Sequence, residues 1–279
     1  MGQPITVVDA FTDSAFRGNP AAVCVLPTAG HPAPAASSPA ESWMQAVAAE
    51  MNLSETAFVA PRSDGDYDLR WFTPTTEIDL CGHATLASVH LLGRDVRFHT
   101  KSGVLECRHR DDGAIEMDFP AIPVLPVSDP PDWAPALGLP PSRVVGAWSG
   151  GEWALVEVET AQDVRNMVPD RAAIVGLGGA AIVVATPGEG PEGQEVDSVC
   201  RVFVPGSGID EDPVTGAAHC VIGPWLAARI GRTELIGYQA SARGGTVGMQ
   251  VSGDRVILRG RAVTVLEGTL HSDPPLGSA

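Results

Sequence analysis

Residues 70–79 read RWFTPTTEID, and residues 201–210 read RVFVPGSGID. Arg70, Phe72, Pro74, Ile78 and Asp79 recur as Arg201, Phe203, Pro205, Ile209 and Asp210, at a constant offset of 131. Each copy runs into a glycine that opens an apolar helical stretch. Gly82 precedes HATLASVHLL and Gly216 precedes AAHCVIGPWL, with three extra residues in the second copy. We read this as a duplicated strand–loop–helix unit. The plainer alternative is two unrelated strand–turn–helix connections, a common motif.

Working outward, ITVVD (5–9) and AAVCVL (21–26) flank the turn-rich SAFRGNP and read as a strand hairpin. TAGHPAPAASSP (28–39) reads as a loop. Trp43, Met44, Val47 and Met51 recur at helical spacing, which predicts a helix over 41–50. Strands are expected at TAFVAP, YDLRWFTP, 104–109 and 114–119, with a helix over 83–94 ending at Gly93. The proline-rich stretch 120–142 marks a domain crossing. After it, WALVEVE, AAIVVAT and EVDSVCRVFVP read as strands, with a short helical segment between the first two. AAHCVIGPWLAARI reads as a helix, and 247–251, 255–259 and 262–266 as strands. The expected domains are 1–120 and 121–267, with a final strand near 268–279 crossing back to the first.

The chain has 279 residues, 44% of them hydrophobic, enough for two buried cores. A formal net charge of −16 repels phosphate backbones and anionic lipid, so neither nucleic acid nor membrane is an expected partner. No apolar run approaches the roughly 18 residues that span a bilayer, and no leader is read at the start. The five cysteines show no CxxC pair, which fits a reducing cytoplasm and predicts neither a disulfide framework nor a metal site. Gly176-Leu-Gly178-Gly179 lacks the third glycine of a dinucleotide fingerprint, and no phosphate-binding loop occurs, so no cofactor is expected.

Two similar halves would face each other across a cleft, where ligand sites tend to lie. Each would bring a helix N-terminus, near Gly82 and near Gly216–Ala217, suited to a carboxylate or a developing enolate. Glu55, ahead of apolar AFVA, reads as a desolvated carboxyl whose pKa is raised toward that of a working acid/base. Alternatively Asn52 or Ser54 merely ends the preceding helix and Glu55 is exposed. His83 reads as a neutral donor or proton relay at a helix start, or as a simple cap. Asp212 reads as a second acid/base, an orienting partner for His83, or a helix N-cap before Pro213. Cys81 reads as a packed thiol or as a thiolate activated by the helix end. Asn19 reads as a turn former.

The segments Asp9-Ala-Phe-Thr, Gly18-Asn19-Pro20, Asn52-Leu-Ser-Glu55-Thr, Cys81-Gly82-His83-Ala-Thr and Glu211-Asp212-Pro-Val-Thr-Gly216 together resemble the PhzF family, which is similar in fold to diaminopimelate epimerase and proline racemase. The closing AVTVLEGTL also resembles that family's end, so the likeness spans nearly the whole chain. The resemblance implies an α+β fold of two pseudo-symmetric epimerase-like domains, each a mostly antiparallel barrel-like sheet around a central helix. It implies a homodimer, a site between the domains, and isomerisation of a small carboxylic acid such as the dihydro-hydroxyanthranilic acid of the phenazine pathway. The family's acid/base glutamate maps to Glu55, its histidine to His83 and its aspartate to Asp212. Asn19 falls in a loop near the site, and Gly82, Gly216 and Ala217 fall where the substrate's acid group would be met.

Two departures stand out. Two-base epimerases on this fold resemble Cys-Gly-Asn in one half and Ala-Cys-Gly-Thr-Gly in the other. Here Asp212-Pro-Val-Thr-Gly216 carries no thiol, which counts against a paired-cysteine racemase. Ala217 stands where the phenazine enzyme has Ser, which removes a hydroxyl donor and leaves the substrate open. The rival expectations are a racemase, epimerase or dehydratase acting through Cys81, and a non-catalytic protein of the same fold that binds a small acid.

Overall fold

The computed structural model describes residues 2–27, 39–178, 180–186 and 188–272. The expected loop at 28–39 lies almost wholly outside them. The chain forms two units, one of residues 1–117 with 260–279 and one of residues 118–259. The first return point is Gly260 rather than the neighbourhood of 268. A single strand, Ala262–Leu270, runs antiparallel along Gln3–Ala10, so its whole length belongs with the first unit.

In the first unit, strand Gln3–Ala10 pairs antiparallel with Asn19–Val25, the hairpin read from sequence. Asn19–Val25 pairs parallel with Glu55–Pro61, which pairs antiparallel with Tyr67–Phe72. Tyr67–Phe72 pairs parallel with Val96–Thr100, and antiparallel partners Gly103–His109 and Ile115–Pro120 follow. Helix Gly82–Leu92 buries every residue from His83 to Val89, which explains its lack of a polar face. Gly93 ends it in the left-handed conformation and returns its N–H to the Val89 carbonyl. Helix Pro39–Met51 packs Trp43, Met44 and Val47 against Phe58 and Phe72.

The second unit repeats this pattern. Val144–Gly150 pairs antiparallel with Trp153–Val158, and Trp153–Val158 parallel with Ala181–Ala185. Ala181–Ala185 pairs antiparallel with Ser198–Val204, and that strand parallel with Glu234–Gln239. Antiparallel strands Gly245–Ser252 and Arg255–Gly260 close the series. The succession of pairing directions is the same as in the first unit. Helix Gly216–Ile230 is the buried counterpart of Gly82–Leu92. Pro224 inside it cannot bond the Cys220 carbonyl, and the Ile122 N–H takes that carbonyl instead at 3.0 Å. No helix among the described residues is long and apolar enough to cross a membrane.

The recurring arginine and phenylalanine do the same work in each unit, whereas Ile78 and Asp79 do not match Ile209 and Asp210 as the constant offset suggests. Ile78 faces Trp71 as Asp212 faces Val202, so the three extra residues fall before Asp212. Arg70 grips Glu77 through two parallel bonds of 2.7 and 2.8 Å and stacks 5.1 Å over Phe72. Arg201 grips Glu211 through two bonds of 2.7 Å and stacks 5.0 Å over Phe203. Arg201 also donates to the Met167 carbonyl at 3.0 Å, tying down the end of helix Ala161–Asn166. Arg201→Met would leave Glu211 partly buried without its fork partner. The expected loss is about 2–4 kcal/mol, read as a lower urea midpoint. A change within ~0.5 kcal/mol would show the pair to be decorative.

Candidate active site

The first unit assembles Asn19, Glu55, Cys81 and His83. Glu55 opens its strand beside Ala21, two residues past Asn19, so the two parallel strand starts lie side by side. Asn52 does end the preceding helix, with φ +50 and its N–H on the Ala48 carbonyl. Glu55 is nevertheless buried, at 8% exposure, so the cap and the buried carboxyl coexist. The loop before Asn19 is wound tightly: Phe11, Phe16 and Gly18 all take positive φ, and the Phe16 N–H donates to the buried Asp9 carboxylate at 2.6 Å. Such backbone is characteristic of functional sites.

Cys81 is the N-cap of helix Gly82–Leu92, so His83 stands inside its first turn and is not the cap. The His83 ring is buried, and Nε2 lies 3.2 Å from Glu55 Oε2. The Asn19 amide nitrogen meets Nδ1 at 3.2 Å, and the Cys81 sulfur lies 3.5 Å from the same nitrogen. A nitrogen faced by an amide N–H and a thiol acts as an acceptor, which places the ring proton on Nε2. That N–H is close to Glu55 but is not aligned with it as a hydrogen bond. The contact is therefore electrostatic, and directional bonding capacity remains beside the carboxyl for a substrate atom.

Desolvation pulls the His83 pKa down to about 3, so its ring is neutral at physiological pH. The Glu55, Cys81 and His83 ligand atoms lie within 4.8 Å of one another, a set able to approach a metal ion. The acid and the thiol, however, flank opposite ring nitrogens, whereas one ion would engage a single nitrogen. The arrangement suits a proton relay better than a ligand set.

The second unit assembles Asp212, Thr215, Gly216 and Ala217. Asp212 ends strand Ile209–Asp212, and Thr215 is the helix N-cap, so the plain N-cap reading of Asp212 does not hold. Instead, the Thr215 hydroxyl donates to Asp212 Oδ2. Neither Cys81 nor Thr215 caps its helix through the side chain, so the first-turn N–H groups at Gly82–His83 and Gly216–Ala217 receive no such bond. Gln239, absent from the sequence reading, is fully buried and bonds this turn at three points.

Strand register aligns the two units residue by residue. Thr56 faces Phe72 as Ala181 faces Phe203, so the counterpart of Glu55 is Ala180. The helix starts align Cys81 with Thr215 and His83 with Ala217. The duplicated frame thus carries the glutamate–histidine pair once. The aspartate likewise occurs once, where the first unit has Ile78.

Buried His219 donates its Nδ1–H to the Thr215 carbonyl at 2.9 Å, and desolvation lowers its pKa to about 4 despite that contact. Unfolded histidines take up a proton near pH 6.5, whereas folded His83 and His219 refuse it until about 3 and about 4. Between those values the unfolded chain holds more protons, so stability falls as pH falls. At pH 5 each histidine removes about 2 kcal/mol relative to pH 7. His219→Gln should flatten the acid limb of a urea stability–pH curve by that amount; an unchanged limb would contradict the burial argument.

Residues 8–268 match the family model described as phenazine biosynthesis-like protein. An uncharacterized isomerase of Halalkalibacterium halodurans is 43% identical over 279 residues, covering 97% of this chain and 99% of that one. The crystal structure of a phenazine biosynthesis protein of the PhzF family from Enterococcus faecalis is 36% identical, with a TM-score of 0.85, covering 98% of this chain and 100% of that one. A predicted epimerase from Pseudomonas aeruginosa, 22% identical with a TM-score of 0.71 over 97% of this chain and 100% of that one, shares the fold. The twice-built α+β frame, its mostly antiparallel sheet and these likenesses agree, and the chain belongs to the phenazine biosynthesis-like, or PhzF, family and is an isomerase.

Proposed function

We propose that the chain moves a proton on a small carboxylic acid without a cofactor, with Glu55 as the general acid/base and with His83 and Asp212 assisting. The observation that carries this is the buried Glu55–His83 contact at 3.2 Å, with Asn19 and Cys81 at the other ring nitrogen. The neutral Nε2–H steadies the carboxylate form of Glu55 and can donate to a substrate oxygen as charge develops. The helix-start N–H groups at Gly82, and separately those at Gly216–Ala217, suit an acid group, and Asn19 borders the His83 ring. Proton removal and return by one carboxyl needs no second base, which accords with Ala180 at the matching position.

Proton NMR of small unsaturated carboxylic acids incubated with enzyme in D2O tests the proposal. Glu55-dependent deuterium entry with isomerisation is expected. Isomerisation that persists in Glu55→Gln at the wild-type rate would end it.

A second reading gives the proton transfer to Cys81, favoured by its sulfur 3.5 Å from His83 Nδ1. Cys81→Ser would then lose turnover and iodoacetamide would inactivate the enzyme. On the first reading, Cys81→Ser keeps turnover within about tenfold of wild type, because the hydroxyl can still donate to Nδ1.

A further inference from the structure

We infer that Gln239 is a positioning residue that fixes the Asp212 carboxylate through Thr215, a role that rests on the proposed use of Asp212. Gln239 ends its strand with its amide fully buried, and every bond the amide makes goes to one turn. Its Nε2 donates to the Asp212 carbonyl at 2.7 Å and to the Thr215 hydroxyl oxygen at 3.2 Å, while its Oε1 accepts the Thr215 N–H at 2.9 Å. A donor and an acceptor at opposite ends of the turn allow only one orientation of the amide. With its oxygen occupied by Gln239, the Thr215 hydroxyl directs its proton to Asp212 Oδ2. The His219 ring secures the Thr215 carbonyl, so the backbone and side chain of Thr215 are both held.

Comparison of the units separates scaffold from special equipment. Each unit latches the residue after the aligned strand end with a serine. Ser241 donates to the Pro213 carbonyl at 2.8 Å, and Ser102 donates to the Asp79 carbonyl. The helix-side contact also recurs, Thr85 to the Cys81 carbonyl and His219 to the Thr215 carbonyl. Gln239 does not recur. Strand register puts Thr100 in its place, since Cys200 faces Gln239 as the residue one past Asp68 would face the residue one past His99. Thr100 bonds its own hairpin at Gly103. The amide clamp occurs in the unit that carries Asp212 and is missing where Ile78 takes that place. A clamp needed only to close the fold would be expected in both.

The test is carboxyl 13C NMR of protein labelled at aspartate, with the Asp212 signal identified by its loss in Asp212→Asn. Gln239→Thr, which installs the first unit's own residue, should displace the Asp212 signal and its titration midpoint. Thr215→Val should displace them equally, and the double variant no further, because one chain of bonds is cut. Ser241→Ala should lower the urea midpoint and leave the Asp212 signal in place. An unmoved Asp212 signal in folded Gln239→Thr, additive displacements in the double variant, or an equal displacement in Ser241→Ala would each overturn the assignment. If Gln239→Thr does not fold, Thr215→Val alone decides, and an unmoved signal overturns the link. Because no turnover is needed, the clamp can fail while proton transfer survives, and the reverse.

Discussion

Glu55→Gln should lower turnover by about 10^3-fold or more, a rise of about 4 kcal/mol in the barrier. The change keeps the side chain's size and an oxygen beside the His83 N–H, so the fold and substrate affinity should survive. What it removes is the one atom able to accept and return a proton at this position. His83→Gln should cost less, about 10–10^2-fold, because it removes a donor and not the proton carrier. Steady-state rates with unchanged far-UV and near-UV circular dichroism check both. If His83→Gln is the more damaging, the roles are reversed and the imidazole carries the proton.

Gly18→Ala should destabilise the protein by at least about 3 kcal/mol. Gly18 has φ +65, and a Cβ there would sit 2.1 Å from the Ala10 carbonyl oxygen, a backbone atom in a paired strand that cannot move aside. Relief requires displacing Asn19, the next residue, so activity should fall beyond what unfolding accounts for. Gly93→Ala provides the contrast. Its φ is +64, but a Cβ would meet nothing within 4 Å, so only the left-handed backbone cost of about 1 kcal/mol applies. Equal losses at the two positions would show that the close approach to Ala10 is not what demands glycine.

The repeat around Arg70 and Arg201 was legible because its residues perform a local task twice, a bidentate pair with a glutamate and a stack on a phenylalanine. The buried helices after Gly82 and Gly216 were legible from their unbroken apolar runs. Strands Val144–Gly150 and Glu234–Gln239 were not. Each contains a glycine that weakens the strand pattern, and each glycine answers to a neighbour far along the chain or across the pleat. A Cβ at Gly237 would lie 2.9 Å from the His219 ring, and one at Gly146 would lie 2.9 Å from Trp148. Losing the second strand also hid Gln239, since a lone glutamine in an unassigned segment carries no signal.

At the site, the motif around Asn52–Glu55 marked the acid, but its burial against His83 depends on a parallel strand pair and a helix start drawn from three separate segments. The N-cap reading of Asp212 turned on which residue caps the helix. Asp and Thr are both good caps, so spacing alone could not make that choice. The asymmetry of the duplication emerged only from strand register, which aligns Glu55 with Ala180.

In the proposed mechanism one buried carboxyl takes up and returns the same hydrogen. The direct measurement uses the acid found by the D2O screen, deuterated at the carbon that loses its hydrogen and isomerised in H2O to low conversion. Mass spectrometry should find part of the label at the new position in the product, since a Glu55 with 8% exposure exchanges with solvent slowly enough to return some of it. Product wholly free of transferred label, formed at the same rate by Glu55→Gln, would contradict the account.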